Sequence, residues 1–331
     1  MPTLYVTEQG SRIEKEYRRL VVTLEDKVLL AVPAERVDHV VLVGNVGVTT
    51  PALIALLETG VGLSLVSSRG EMRGHLTPPT GKNIPLRHQQ YARAQDAAFC
   101  LAVSRAFVGG KLGNYRTLAR RLARQRPEMD QAPIAQITEC LRRLADVADL
   151  AALRGLEGEG SRAYFALYRQ ALQHGLGFAR RTRRPPRDAV NALLSLGYTL
   201  LTDNLVTACE VVGLDPYDGF FHADKYGRPS LALDLVEEFR GIIVDSVVLN
   251  LVNREMLQED DFQPGPKGGV YLKPPSMKVF FQQYTARLNT EVIHPLAGRP
   301  LSYQKCFEVQ ARRLRKVIEG EAEAYLPFLA K

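Results

Sequence analysis

The sequence predicts an α+β chain, with a small N-terminal β-sandwich-like domain followed by a large all-α domain. Three observations lead there. The first 76 residues hold short Val-, Leu- and Tyr-rich segments separated by Gly, Asp, Glu and Pro, which is strand punctuation. Residues 78–85, Pro-Pro-Thr-Gly-Lys-Asn-Ile-Pro, have the composition of a linker. Beyond them apolar residues recur at helical spacing with few breakers. The 331 residues also exceed the roughly 250–300 at which one core stops growing. The expected division is therefore 1–77, a β-rich domain; 78–85, a linker; and 86–331, a helical domain.

In chain order, strands are expected at Thr3–Thr7, Leu20–Leu24, Lys27–Val32 and His39–Gly44. Thr49-Thr50 can cap a helix running to Leu57, with Pro51 at its first position, and Gly60 ends it. Strands return at Val61–Val66 and Met72–Leu76. Helices are then expected at Leu86–Phe107, at Lys111–Gln125 after Gly109-Gly110, and at Ile134–Leu153, Ala163–His174, Asp188–Val212, Leu231–Glu255 and Tyr303–Tyr325. The Gly/Pro-rich stretch Asp260–Pro275 reads as a loop. No repeat of 20–50 residues is present.

A composition of 46% apolar and 24% charged residues excludes a disordered or fibrous chain. No run reaches the ~18 apolar residues of a membrane span, and Met1–Gly10 lacks a basic segment followed by an apolar one. A cytoplasmic protein without membrane association is expected. Cys100, Cys140, Cys209 and Cys306 form no CxxC pair and read as buried, reduced thiols. The net charge of +7 says less than its distribution. Arg105 to Arg126 carries seven Lys/Arg and no acid, and five of the ten residues from Phe178 to Arg187 are Arg. Such clusters suit a binder of phosphate backbones, though a solvated helix face and a charged loop would read the same.

The candidate chemistry centres on His222. An aromatic run, Gly219-Phe220-Phe221, delivers it into a turn that ends at Pro229-Ser230, where Ser230 can cap a helix. Asp234 and Glu237 are three apart on that helix and share a face. A third acid, Glu157, lies between glycines at the expected start of the helix carrying Tyr164 and Phe165. An imidazole with carboxylates suits Mn²⁺ or Mg²⁺. The spacing alone fits a capped loop histidine with surface carboxylates equally well.

Three blocks resemble one family. Glu157-Gly158-x-x-Ser161-Arg162-x-Tyr164-Phe165, then Arg184-Pro185-Pro186-x-Asp188-x-x-Asn191-Ala192-Leu193-Leu194-Ser195-x-Gly197-Tyr198, then Gly219-Phe220-x-His222 with Gly227-Arg228-Pro229-Ser230-Leu231-Ala232-Leu233-Asp234-Leu235-x-Glu237-Glu238-Phe239-Arg240 are similar to the CRISPR-associated integrase of spacer acquisition, the Cas one family. They occur in that family's order, and the two-part plan matches, so the resemblance spans nearly the whole chain. It implies one divalent metal, Mg²⁺ or Mn²⁺, on Glu157, His222 and Glu237. Some members carry Asp at the third position, so Glu237 is a variant. The resemblance also implies Asp234 behind the metal or as an alternate ligand, and a site wall including Tyr164, Asn191 and Tyr198. DNA contacts would fall on Arg162, Arg180, Arg181, Arg183, Arg184, Arg240 and Lys278. The implied reaction is attack of a 3′-hydroxyl of a captured fragment on a phosphodiester at the edge of a CRISPR repeat. The implied partners are DNA, a second copy bound through the N-terminal domain, and the small ferredoxin-like protein Cas two. Two other readings share much of this sequence: a stand-alone structure-specific repair nuclease, and a DNA-binding scaffold without activity. No RNA-binding module is recognisable.

Overall fold

The computed structural model describes residues 3–77 and 83–330. Residues 78–82 of the expected linker lie outside the described residues. The N-terminal part has β1 (Thr3–Val6), β2 (Arg12–Glu16), β3 (Arg19–Leu24), β4 (Lys27–Pro33), β5 (His39–Val43), β6 (Gly47–Val48), α1 (Thr50–Glu58), β7 (Gly62–Val66) and β8 (Met72–Leu76). They form two four-stranded sheets, ordered β1-β5-β7-β8 and β4-β3-β2-β6. In the first, β1, β5 and β7 run parallel and β8 antiparallel. Thr49 caps α1 by accepting from the Ala52 N–H, with Pro51 in the first turn. The strand Arg12–Glu16 has no counterpart in the sequence reading, because Arg-Ile-Glu-Lys-Glu offers one apolar side chain, the fully buried Ile13.

β5, His-Val-Val-Leu-Val, is buried at every position. Its side chains alternate between two cores, as the two-residue period of a strand requires. Val40 and Leu42 join Ile13, Leu20, Val22 and Leu56 between the sheets. Val41 and Val43 face the helical part and join its larger core. Tyr5 of β1 stacks on Phe281 with centroids 4.8 Å apart.

The helical part has α2 (Ile84–Ala94), α3 (Ala97–Gln125), α4 (Ala132–Arg143), α5 (Leu150–Ala171), α6 (Ala189–Val211), α7 (Ser230–Arg240) and α8 (Ser246–Asn253), with a π-turn at Gly241–Asp245 joining the last two. The hairpin β9 (Phe262–Gly265) and β10 (Gly269–Leu272), α9 (Pro274–Leu288), the pair β11 (Glu291–Ile293) and β12 (Pro300–Ser302), and α10 (Tyr303–Ile318) complete it. Helices start where short polar side chains cap them: Asn83, Asp96, Asp149 and Asp188 each accept from a first-turn N–H.

Several boundaries differ from the sequence reading: the helix expected at Ile134–Leu153 ends at Arg143, and the one expected to reach Tyr325 ends at Ile318. The helical stretch from Leu86 divides at Gln95–Asp96, where the Asp96 carboxylate accepts from the Ala98 and Phe99 N–H groups. It does not divide at Gly109-Gly110, which α3 runs through. Gly110 is there for contact: a Cβ would lie 2.7 Å from Pro327 Cβ and 3.0 Å from Glu238 Cγ. α5 starts at Leu150, so Glu157 sits two turns inside the helix rather than at its start. Pro229, not Ser230, holds the N-cap position of α7; Ser230 is buried and donates to the Ala223 carbonyl. The stretch expected as a loop from Asp260 contains the β9–β10 hairpin.

Candidate metal centre

Four elements meet at the site: α3, α5, α7 and the loop before α7. The loop is fixed by one carboxylate. Asp234, fully buried on α7, accepts from the Phe220 N–H at 2.7 Å, the Phe221 N–H at 3.0 Å and the His222 N–H at 2.9 Å. It also accepts from the His222 ring, Nδ1 to Oδ1 at 2.7 Å. A carboxylate only accepts, so the proton sits on Nδ1 and the Nε2 lone pair is left outward. Nε2 lies 4.0 Å from Glu237 Oε1. The approach needs Gly219, whose Cβ would come within 2.9 Å of Asp234 Oδ2 and 2.7 Å of the Ser230 carbonyl carbon.

Glu237 is buried on the next turn of α7. The Arg240 guanidinium donates to both its oxygens, at 2.9 and 3.2 Å. Lys111 Nζ of α3 lies 2.5 Å from Oε2. Burial would raise the Glu237 carboxyl, but Arg240 and Lys111, with His222, overcome it and hold the group well below the usual carboxylate range. Arg240 is itself buried over the Tyr198 ring, 4.3 Å from its centroid, and Tyr198 donates to Asp245 of the π-turn. Burial pushes the Asp245 carboxyl up.

Glu157 of α5 pairs with the same Lys111 ammonium and accepts from Ser161 Oγ, one turn on, at 2.8 Å. Glu157 and Glu237 therefore face each other across a cation that belongs to the protein. Among the described residues no three His, Cys, Asp or Glu side chains form a ready-made ligand cluster, and here Lys111 stands between the two glutamates. The donor chemistry nonetheless fits a hard divalent ion: two ionised carboxylates that already demand positive charge, and an imidazole nitrogen held open by a carboxylate behind it.

The remaining expected site residues divide. Tyr164 is buried and stacks flat on Tyr115, centroids 3.6 Å apart, beneath Lys111. Asn191 lies away from the acids and fastens the arginine-rich loop. Its Oδ1 accepts from Arg181 Nη1 and the Thr182 N–H, and its Nδ2 donates to the Arg180 carbonyl. Arg181 is spent in that knot, with a further bond to Ser195 Oγ, and Arg240 on Glu237; neither guanidinium stands free in solvent. Arg162, Arg180, Arg183, Arg184 and Lys278 are exposed. Arg183 and Arg184 line a cleft of about 470 Å³ together with Arg69 and Lys267. Within Arg105–Arg126, Arg120, Arg121 and Arg124 are exposed, but Lys111 is 2% exposed. Lys111 is the residue that reading by charge clusters misplaces. It is the sole charged residue from Phe107 to Tyr115, a stretch otherwise apolar or Gly with one Asn, and that isolation is the mark of a buried, paired lysine.

Comparison with known proteins bears on the same blocks. A family model described as CRISPR associated protein Cas1 matches residues 4–286. A CRISPR-associated endonuclease Cas1 of Thermus thermophilus is 40% identical over 330 residues, covering 98% of each chain. Among solved structures, a casposase bound to integration product superposes with a TM-score of 0.87 at 24% identity, covering 98% of this chain and 93% of its own. The Cas6-RT-Cas1–Cas2 complex matches with a TM-score of 0.82 at 21% identity, covering 99% of this chain and 36% of that one. At those identities the two structures establish the fold.

Proposed function

The chain belongs to the Cas1 family, and from that premise we propose that it is a metal-dependent DNA endonuclease and integrase of CRISPR adaptation. It joins a 3′-hydroxyl of a captured DNA fragment to a phosphodiester at the edge of a CRISPR repeat. The observation that carries this reading is that Glu157 and Glu237 meet at one position of positive charge, with Nε2 of His222 4.0 Å from Glu237. What a Mg²⁺ or Mn²⁺ ion supplies there is charge for a phosphodiester oxygen and for an attacking hydroxyl. Glu157, His222 and Glu237 hold it; Arg240 keeps Glu237 ionised, and Asp234 aims the imidazole. The exposed Arg162, Arg180, Arg183, Arg184 and Lys278 hold phosphates, which positions DNA without reading its sequence. Positioning and fixed charge supply most of the rate in phosphoryl transfer.

The domain division 1–77, 78–85 and 86–331 serves this function as a dimerisation part, a connector and a catalytic part. Val28, Leu29 and Leu30 of β4 are each more than two-fifths exposed, an apolar edge strand suited to a second copy. The likeness to a casposase bound to integration product and to a Cas6-RT-Cas1–Cas2 complex supports DNA and the small Cas2-type protein as partners. No described helix is long and apolar enough to cross a membrane, and we place the reaction in the cytoplasm, where CRISPR arrays are.

The test is strand transfer. A short duplex with free 3′-hydroxyls and a plasmid carrying a CRISPR repeat are incubated with the protein, with and without the Cas2-type partner, in Mg²⁺, Mn²⁺ or EDTA. Joining at the repeat edge is expected with either metal and is lost in EDTA and in His222→Ala. Metal-dependent nicking with no joining, even with the partner present, would make the chain a stand-alone nuclease.

A further inference from the structure

We propose that Lys111 is a built-in counter-cation of the metal centre, holding Glu157 and Glu237 in register until a divalent ion displaces its ammonium. The inference rests on Glu157, His222 and Glu237 being the ligands. Lys111 is almost wholly buried, and a buried ammonium persists only when paired. Its Nζ touches a carboxylate of α5 and a carboxylate of α7 and so ties the two helices together. With Arg240 on Glu237, each of the two glutamates already faces a cation, and Asp234 stands behind His222. Adding an ion of charge +2 with Lys111 in place would leave like charges within a few ångströms in a buried space, so one cation must yield.

Geometry selects which. Arg240 grips both oxygens of Glu237 and lies over the Tyr198 ring, a planar fork locked on two sides. Lys111 has a flexible four-carbon stem, and its Nζ is 5.6 Å from the centroid of Tyr115, one turn along the same helix. The ammonium lies over that ring while it is paired, so the ring is a contact the lysine can keep as its stem swings off the carboxylates. Glu157 keeps Ser161 as a partner when Lys111 leaves. The lysine therefore competes with metal, and the affinity of the centre is the difference between two cations, not the affinity of three bare ligands.

The experiment is Mn²⁺ titration of the full chain, read as free Mn²⁺ by electron paramagnetic resonance, with thermal melting in EDTA and in saturating Mn²⁺. Lys111→Met keeps the stem and removes the charge. It is expected to bind Mn²⁺ about ten-fold tighter than wild type or more. It should melt below wild type in EDTA and regain the difference in Mn²⁺, since the ion takes over the neutralising role. Lys111→Gln carries the same expectation and decides the matter if the Met variant does not fold. Mn²⁺ binding equal to or weaker than wild type in the soluble variant would overturn the proposal. Glu157→Gln and His222→Ala separate the two readings. If both lose Mn²⁺ while the Lys111 variants do not gain, only the counter-cation role falls. If both bind Mn²⁺ as wild type does, the metal lies elsewhere and the functional reading falls with it.

Discussion

Asp234 shows how much one side chain can do for a site without touching what reacts. Its two oxygens collect three backbone N–H groups and a ring N–H, so the loop and the imidazole are set together. Asp234→Asn replaces one acceptor oxygen with an amide that cannot accept. Either a backbone pair or the ring loses its partner, and the unpaired donor remains buried. Loss of a carboxylate behind a ligating histidine typically weakens metal affinity or activity 10–100-fold, and that range is expected in Mn²⁺ titration and in strand transfer alike. A variant with wild-type values in both would show that the loop holds His222 without it. The roles at this scale were unequally legible in the sequence. His222, Asp234 and Glu237 lie within sixteen residues, inside the most distinctive block, so their partnership follows from a loop-to-helix turn. Lys111 reaches the same point from α3, more than a hundred residues away from His222, and no local pattern ties it to the acids. Arg181 and Arg240 counted toward a basic surface, yet each is consumed by a nearby acceptor, because charge counting cannot see burial.

At the scale of elements, the distance between α3 and α7 is what brings Lys111 to Glu237, and the C-terminal tail sets it. Glu238 faces the C-terminal tail and accepts from Gln310 Nε2 at 2.9 Å and the Phe328 N–H at 2.6 Å, with Tyr325 as a third donor. Asn114, one turn after Lys111, donates to the Glu238 and Phe328 carbonyls, and its Oδ1 accepts from the Ala330 N–H. The tail thus laces α3 to α7 directly behind the site, and Gly110 packs tightly against both Pro327 and Glu238. Gly110→Ala pushes a methyl into Pro327, a ring with nowhere to turn. A loss of about 1–3 kcal/mol in urea unfolding is expected for such overpacking, with a fall in strand transfer as Lys111 and Glu237 separate. Unchanged stability would mean that the tail moves aside freely and does not govern the spacing. This lacing also explains the shortfall in the sequence reading. The strands with apolar runs and clear breakers, and α1, were legible to within a residue or two, whereas β2 and β6, with few apolar side chains, were not. The two glycines in α3 read as a break because contact and flexibility call for the same residue.

Across the whole molecule, the β-rich and helical parts are joined by a buried polar cluster as well as by apolar contact. Asp203 of α6 accepts from Ser64 Oγ of β7 at 2.7 Å and meets His75 Nδ1 of β8 at 2.8 Å, and His39 Nε2 of β5 lies 2.7 Å from the same serine. Three strands of one sheet thus converge on one carboxylate of the other part. Burial would raise the Asp203 carboxyl, but the bonds from His39 and His75 hold it well below the usual range. The bond to Asp203 raises His75, against a smaller opposing effect of burial, and Glu210 adds to the rise. The signs give a window. A carboxylate with a lowered value contributes stability above its unfolded pKa of about 3.9, lost as pH falls well below that. A histidine with a raised value contributes fully below its unfolded pKa of about 6.5, and the contribution is lost as pH rises through the folded value. Both act together from about pH 4 to 6.5, and the junction weakens in mild alkali. Melting temperature should therefore fall less with rising pH in His75→Asn than in wild type, and the gap between the two should narrow from pH 6 to pH 9. A gap that stays constant over that range would mean that His75 holds Asp203 as a neutral donor throughout, and that the two parts of the chain are joined by packing and neutral hydrogen bonds alone.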